Sequence, residues 1–136
     1  MRRMLAALPL LFSPAIVHAA TPIAGQWLTL EDKAVVTIAE CGKGMCGRVS
    51  KVLKPRPDGP TVDSKNPNPA LRNRPIEGLT ILANFADSGG DWRGTIYNPE
   101  EGKQYRSIMK RQADGTLQVK GCILFFCQTQ VWRPAR

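Results

Sequence analysis

Four cysteines are the residues of this chain whose type and spacing point most directly to chemistry. They form two pairs with the same separation, Cys41 with Cys46 and Cys122 with Cys127. In an oxidising compartment such pairs become disulfides. A zinc site usually has closer spacing within each pair, and a redox-active dithiol has the Cys-x-x-Cys spacing. We therefore predict disulfides and no metal site.

Four cysteines allow three different pairings. A disulfide needs Cα atoms within about 7 Å, whereas five residues of extended strand span about 17 Å. A local bridge therefore requires a turn, which the glycines between the first two cysteines allow. Loop-closure entropy favours cross-pairing, at about 4.5 kcal/mol against about 2 kcal/mol, but sequence proximity favours local pairing. We predict the local pairs, Cys41–Cys46 and Cys122–Cys127.

The segment Ile123–Phe126 lies between the second pair of cysteines and contains only apolar residues. A local bridge would make it an exposed loop tip, which could contact a membrane or guard a ligand entrance. The alternative is an interior strand segment, and the absence of any turn-forming residue favours this interpretation. The exposure of Phe125 and Phe126 distinguishes the two.

The N-terminus has the order of a cleaved secretion signal. Two arginines precede an apolar run that ends at Val17, and the small residues Val17 and Ala19 suit cleavage after Ala19. We predict a signal peptide over residues 1–19, a single mature domain over residues 20–136, and export to the periplasm or the cell exterior. The run is too short for a spanning helix, so no transmembrane segment is expected after processing.

The mature chain is basic and has no histidine. Removing the two signal arginines lowers the formal net charge from +8 to +6, which suits a soluble surface or attraction to anionic envelope components. Export takes the protein away from nucleic acid. The single histidine, His18, lies in the predicted signal, which excludes Ser-His-Asp catalysis, Cys-His catalysis and histidine metal sites from the mature domain. No cofactor is predicted.

An enzyme without histidine would need paired carboxylates, a serine–lysine site or a tyrosine site. The candidate carboxylates are Asp63, Glu77, Asp87 and Asp91. Paired acid–base chemistry needs two carboxylates at a defined separation, and no spacing here singles out two of them. We predict no catalytic residue and no enzymatic activity, with a histidine-independent periplasmic hydrolase as the less favoured alternative.

About eight short strands must position these residues. β-branched and aromatic residues mark the strands, and Gly, Asp, Asn and Pro mark the turns between them. The predicted strands are 23–30, 34–39, 46–53, 79–85, 92–97, 105–110, 116–121 and 128–133. No window of helical length has a helical period. Even spacing with short connections predicts an all-β fold, a small antiparallel up-and-down β-barrel, with a β-sandwich as the alternative.

A proline-rich stretch, Lys54–Pro75, interrupts this rhythm and is too long for a hairpin turn. It could edge a ligand site or be a surface excursion. The candidate ligand-binding residues in and near it are Asp63, Asn66, Arg72, Arg74, Tyr97 and Tyr105. The arginines could pair with a carboxylate or phosphate, and the tyrosines could line a barrel mouth or serve packing. Asp63 and Asn66 could instead cap local turns.

A set of motifs spans most of the mature chain. The motifs are Cys46-Gly47-Arg48-Val49, Asp63-x-x-Asn66-Pro67-Asn68-Pro69-x-Leu71-Arg72-x-Arg74-Pro75, Gly78-Leu79, Trp92-Arg93-Gly94-Thr95-Ile96-Tyr97-Asn98-Pro99-x-x-Gly102-Lys103-x-Tyr105 and Gln130-Val131-Trp132-Arg133. In combination they resemble an uncharacterised family of small secreted bacterial proteins, a domain of unknown function. Asn68 stands where that family more often has Asp. The resemblance implies a fold and an exported location but no reaction.

A second likeness concerns the fold. Gly25 and Trp27 form a Gly-x-Trp motif in the first predicted strand, and Arg133 ends the last one. This arrangement resembles the calycins, the lipocalins and fatty-acid-binding proteins, in which an early Gly-x-Trp closes one barrel end and a late arginine packs on the indole. Glycine allows close backbone approach, and an indole face attracts a guanidinium. The likeness implies barrel closure by Gly25, Trp27 and Arg133, with Arg136 as the alternative stacking partner.

These features predict a binding protein. An eight-stranded barrel is wide enough to hold one small ligand, so a small molecule or an anionic envelope component is the predicted partner. The alternative is an envelope structural or interaction protein whose barrel is filled by its own side chains and which acts through its surface.

Overall fold

The computed structural model describes residues 7–16, 18–57 and 61–136. Residues 1–6 and 17, in the predicted signal peptide, and residues 58–60, in the proline-rich stretch, lie outside the described residues. The strands are β1 (Gly25–Leu28), β2 (Ala34–Cys41), β3 (Gly44–Val52), β4 (Thr80–Asp87), β5 (Trp92–Asn98), β6 (Lys103–Arg111), β7 (Leu117–Ile123) and β8 (Phe126–Pro134). Within the described ranges, no helix combines the length and apolar character needed to cross a bilayer.

The eight strands form a closed antiparallel barrel. Each strand pairs with the next along the chain, and β1 pairs with β8 to close the sheet. The closing seam is short, with Trp27 opposite Pro134 and Leu28 opposite Arg133. The predicted up-and-down barrel is confirmed, and the β-sandwich alternative is wrong. Closure leaves no long unpaired strand edge.

Inward-facing side chains from all eight strands build the core. The largest buried members are Trp27, Ile38, Leu82, Phe85, Met109, Leu117 and Trp132. Two glycines make room for them. A Cβ at Gly47 would come within 2.5 Å of the Leu82 side chain, and one at Gly94 within 2.8 Å of the Phe85 ring. Leu82 and Phe85 can therefore pack over the neighbouring strand at a position where that strand has no side chain.

The segment before β1 closes one end of the barrel. Ile23 is fully buried, and its carbonyl oxygen accepts a hydrogen bond from Trp27 Nε1 at 3.0 Å. Ala20 is also buried, and its backbone N–H donates to Asp87 Oδ2 at 3.0 Å. Gly25 has a φ of 141°, which is accessible mainly to glycine. Gly25 and Trp27 thus lie where the chain enters the barrel.

Trp27 has a cationic partner, but it is not the predicted one. The guanidinium carbon of Arg111 lies 5.4 Å from the centroid of the Trp27 ring. Arg133 instead donates to Asp32 Oδ1 at 2.6 Å. The prediction that Arg133 stacks on Trp27 is therefore wrong. Because Trp132 faces the interior, its neighbour Arg133 must face outward on the same strand.

Both predicted disulfides are present. Cys41–Cys46 spans the turn between β2 and β3, with Cα atoms 5.8 Å apart. Cys122 and Cys127 lie directly opposite each other on β7 and β8, with Cα atoms 4.1 Å apart. Two disulfides in so small a domain indicate an oxidising location outside the cytoplasm.

The apolar segment between the second pair of cysteines is an exposed hairpin tip. β7 ends at Ile123 and β8 begins at Phe126, so Leu124 and Phe125 form a two-residue turn. The side chain of Phe125 is 99% exposed and that of Phe126 is 85% exposed. The prediction of an interior strand segment is wrong, because the local disulfide requires the chain to reverse direction between the two cysteines.

Candidate ligand cavity

A cavity of about 560 Å³ opens at the barrel end opposite the N-terminal segment. The loops β1–β2, β3–β4 and β5–β6 contribute to its lining, together with the adjoining ends of β7 and β8, which meet at the same end of an up-and-down barrel. Space remains there partly because β7 places Gly121 in the inward row, where a Cβ would lie 3.8 Å from Ile96. The cavity argues against the filled-barrel alternative.

The floor of the cavity is apolar. It is lined by Val36, Val49, Ile81, Ile96, Val119 and Trp132. These side chains come from six different strands, β2 to β5, β7 and β8. They also form the boundary with the packed core, in which Val36, Val119 and Trp132 are at most 2% exposed. The floor can therefore bury an apolar group without any change in the core.

The wall near the mouth carries polar side chains. Gln128 and Gln130 line the cavity from β8, because they share the inward row with Trp132. Trp132 Nε1 donates to Gln130 Oε1 at 3.0 Å. On β6, the Tyr105 hydroxyl lines the cavity and donates to Glu101 Oε2 at 2.9 Å. No sequence motif singles out the two glutamines, although strand alternation counted back from Trp132 places both on the inward face.

The mouth is basic on balance. Its cationic residues are Lys33, Lys54, Arg56 and Lys103, and its acidic residues are Glu100 and Glu101. Lys33 Nζ lies 3.2 Å from Glu100 Oε1, and this hydrogen bond is the main cause of a raised pKa of the lysine. Arg56 is held over the mouth by donation to the carbonyl oxygen of Pro99 at 3.2 Å. Polar or anionic groups would therefore be favoured at the entrance.

Four of the predicted ligand-binding residues form one buried network beside the barrel. Asp63 is fully buried, and its carboxylate accepts hydrogen bonds from the Tyr97 hydroxyl at 2.6 Å, from Asn66 Nδ2 at 2.9 Å and from Arg74 Nη2 at 3.0 Å. Burial alone would raise the pKa of Asp63, but the three hydrogen-bonding partners outweigh it and hold the pKa below its usual value. Burial and the bond to Asp63 raise the pKa of Tyr97 to about 12.

The rest of the loop motif is also occupied by the loop itself. Arg72 Nε donates to the carbonyl oxygen of Asn66 at 2.8 Å, and Asn68 Oδ1 accepts from the backbone of Ala70 at the start of a short 3-10 helix, Pro69–Leu71. Asn66 Oδ1 accepts from the backbone of Asn68 at 2.8 Å. The polar motif residues thus stabilise the loop conformation.

The predicted ligand-binding residues do not all meet at one cavity. Tyr97 and Tyr105 line the main cavity. Asn66 and Arg74, together with Tyr97, line a smaller cavity of about 330 Å³ beneath the loop. Among the described residues that line either cavity, Asp63 and Arg72 do not appear. The structure brings the loop residues together around Asp63 rather than around the main cavity.

Comparison with known proteins agrees with this architecture. Residues 25–133 match a family model described as "Uncharacterized protein conserved in bacteria (DUF2147)". Among curated proteins, none matches the chain. A solved structure, protein HP1028 from the human pathogen Helicobacter pylori, is described as belonging to the lipocalin family. The two sequences are 21% identical, and the structures superimpose with a TM-score of 0.74. The match covers 86% of this chain and 85% of the other. That likeness shows a lipocalin-like fold, and the family match shows that the chain belongs to the DUF2147 family of bacterial proteins.

Proposed function

We propose that this protein is an exported, non-catalytic barrel that binds one small amphiphilic molecule at its open end. The observation that carries the proposal is the cavity of about 560 Å³ with an apolar floor and a polar, basic mouth. Ligand sites in proteins typically measure about 300–1,000 Å³ and combine an apolar lining with a few polar groups. The lipocalin-like fold of the barrel is consistent with this use.

The chemistry of the lining defines the class of ligand. An apolar chain or ring system would be stabilised by burial against Val119, Ile96 and their neighbours on the floor. A polar head would meet the amides of Gln128 and Gln130 and then the basic mouth. Since the mouth has four cationic and two acidic side chains, a carboxylate or phosphate head is favoured over a cationic one.

Two observations support export with cleavage after Ala19. The disulfides need an oxidising compartment. Residues 7–16, 18 and 19 are all exposed, whereas Ala20 is 7% exposed and hydrogen-bonded to Asp87. The described fold thus begins at the residue that the predicted processing would leave first.

The contacts of three of the four candidate carboxylates support a non-catalytic role, and the fourth, Glu77, is exposed and lines neither cavity. Asp63 is saturated by its three side-chain partners. Asp87 accepts from the backbone of Ala20 and Gly89. Asp91 forms a bidentate ion pair with Arg93, at 3.0 Å and 3.3 Å. Each of these three carboxylates stabilises local structure rather than facing a partner carboxylate across the cavity.

A cavity-filling substitution tests the binding site. In Gly121→Phe, the new ring would enter the cavity from β7 without backbone overlap. We expect affinity for a dansyl-labelled fatty acid, measured by fluorescence titration, to fall about tenfold or more. The matched control is Val131→Phe, because Val131 lies on the adjacent strand but is 51% exposed on the outer face. Equal affinity of both variants and wild type would contradict the proposed site.

The natural ligand is sought by native mass spectrometry of protein purified from the periplasm, repeated after denaturation. We expect an adduct in the native spectrum only, absent from Gly121→Phe. A bare mature chain in both spectra, together with no binding of the labelled fatty acid, would overturn the proposal.

A further inference from the structure

Large apolar side chains project into solvent beside the cavity mouth. Leu124 is 77% exposed, Phe125 is 99% exposed and Phe126 is 85% exposed. We call Ile123–Phe126 the β7–β8 tip. Single exposed apolar residues are common on protein surfaces, but a contiguous group of this size marks an interaction surface.

The β7–β8 tip departs from the usual composition of a two-residue hairpin turn. Such turns normally contain Asn, Asp or Gly, since at least one residue has a positive φ. Here Leu124 has a φ of 51°, a conformation that is unfavourable for a leucine. Neither local backbone preference nor burial therefore accounts for these two residues.

The base of the β7–β8 tip is rigid. The Cys122–Cys127 disulfide joins the strands directly behind it, with Cα atoms 4.1 Å apart. Arg106 Nη2 donates to the carbonyl oxygen of Leu124 at 2.7 Å. Apolar side chains held outward on a fixed support lose little conformational entropy when a partner covers them.

The strands behind the tip carry positively charged side chains and no negatively charged ones. β6, β7 and β8 contain six Lys or Arg residues and no Asp or Glu. Strand alternation places Arg106, Lys110 and Lys120 on the outer face, because they alternate with the buried Ser107, Met109 and Val119. The ion pairs found among the described residues include none of these three cations.

We propose that the β7–β8 tip inserts into the interface of an anionic phospholipid bilayer, with the outer cations Arg106 and Lys120 meeting the lipid headgroups. Lys110, which pairs with Gln118, lies toward the opposite end of the barrel and takes no part. Apolar side chains on a basic surface are the combination that binds such interfaces. Ile123 and Phe126 also line the cavity, so docking would hold its mouth against the membrane. An amphiphile could then pass between the bilayer and the barrel. This exchange rests on the proposed function, whereas docking itself does not.

Vesicle co-sedimentation tests the docking surface. The protein is the processed, disulfide-bonded chain, and the vesicles are phosphatidylcholine with or without phosphatidylglycerol. We expect binding to the anionic vesicles that weakens as salt is raised. In the double variant Leu124→Asn, Phe125→Ser, we expect the partition coefficient to fall about tenfold or more. In Lys120→Gln, we expect a fall of about fivefold on anionic vesicles only.

Two controls separate docking from folding and from ligand binding. Asn tolerates a positive φ better than Leu, so the double variant should melt no lower than wild type. Gly121→Phe should dock as wild type does, because its substitution lies inside the barrel, and Val131→Thr should also dock normally. The docking proposal is overturned if the wild-type protein does not co-sediment with anionic vesicles, or if the double variant binds them as strongly as wild type does. It is also overturned if sedimentation velocity shows that the protein dimerises through the tip and if anionic vesicles do not dissociate the dimer.

Discussion

Asp63 accepts four side-chain hydrogen bonds from three residues, and this explains why its loop is ordered around it. In Asp63→Asn, an amide group would face donors of Asn66, Arg74 or Tyr97, leaving at least one buried donor without an acceptor. We expect a loss of about 3 kcal/mol in the free energy of unfolding, measured by urea titration at neutral pH. A loss below about 0.5 kcal/mol would show that the network is dispensable.

The same carboxylate gives stability a defined dependence on pH. The pKa of Asp63 in the folded protein lies below its ordinary value of 3.8. Its contribution is therefore complete above that value and is lost as pH falls through the lower, folded-state pKa. We expect Asp63→Asn to lose less stability than wild type between neutral and strongly acidic pH.

Asp114 provides the control for this pH dependence. Hydrogen bonds from Thr116 also lower its pKa, but the side chain is exposed. Asp114→Asn should therefore change the acid-unfolding profile less than Asp63→Asn does. Superimposable profiles for the two variants, measured by circular dichroism, would show that acid lability arises elsewhere.

The contact between Ala20 and Asp87 would become an ion pair if the signal peptide were removed after Ala19. Cleavage there would turn the backbone N–H of Ala20 into an ammonium group, 3.0 Å from Asp87 Oδ2. A charge-assisted hydrogen bond is stronger than a neutral one, so we expect Asp87→Asn to cost about 1 kcal/mol more in a chain that starts at Ala20 than in one that starts earlier. The difference is measured by urea unfolding in a double-mutant cycle of four proteins, in which each of the two chain lengths is made with and without Asp87→Asn. A coupling energy of zero would show that a terminal ammonium group at Ala20 does not interact with Asp87, and would remove this contact as support for cleavage after Ala19.

The turn between β5 and β6 supports the loop that contains Asp63. Gly102 in this turn has a φ of 69°, and a Cβ added there would overlap the carbonyl oxygen of Lys65. We expect Gly102→Ala to lower the free energy of unfolding by about 2–3 kcal/mol, because backbone strain and a displaced loop both contribute. The measurement is urea unfolding followed by tryptophan fluorescence.

Gly89, in the turn between β4 and β5, provides the matched control. It also has a positive φ, of 92°, but a Cβ there would meet nothing within 4 Å. Gly89→Ala should therefore cost only the backbone preference, about 1 kcal/mol. If both variants lose the same amount, the loop does not pack against the β5–β6 turn as strongly as the structure indicates.

The strand order of the whole molecule could be predicted because most strands have an inward row of buried side chains that alternates with an outward row. Alternation and turn residues located all eight strands, and connections between neighbours left few topologies. The local disulfides were predicted from the short separation within each pair, and the glycines between Cys41 and Cys46 allowed the turn that the first bridge needs. The β7–β8 tip could not be predicted in the same way, since hydrophobicity normally indicates burial. Only the disulfide between Cys122 and Cys127, which requires the chain to reverse direction, indicates that this apolar segment is exposed.

The candidate site was less predictable, because its contacts join distant parts of the sequence. The Tyr97 hydroxyl reaches Asp63 across 34 positions, and Arg111 stacks on Trp27 from β6, a strand that does not neighbour β1 in the sheet. Motif spacing carries no information about such pairs. The cavity itself depends on which inward side chains are small, so Gly121 became informative only when its neighbours were known.

Ligand binding and stability should be in conflict at Gly121. Phe at this position would replace the most flexible residue of β7 with a strand-favouring side chain, so we expect the ligand-free variant to gain about 1 kcal/mol. Wild type, in contrast, should gain about 2.7 kcal/mol when an amphiphile is present at one hundred times its Kd, whereas Gly121→Phe, whose affinity is at least tenfold weaker, should gain at most about 1.4 kcal/mol. Urea unfolding with and without labelled fatty acid measures both effects. A variant that is more stable without ligand and gains less from it than wild type would show that the barrel leaves its open end unfilled at the expense of stability, which is expected of a binding site and not of a structural core. A ligand response equal to that of wild type would place the binding site elsewhere on the molecule.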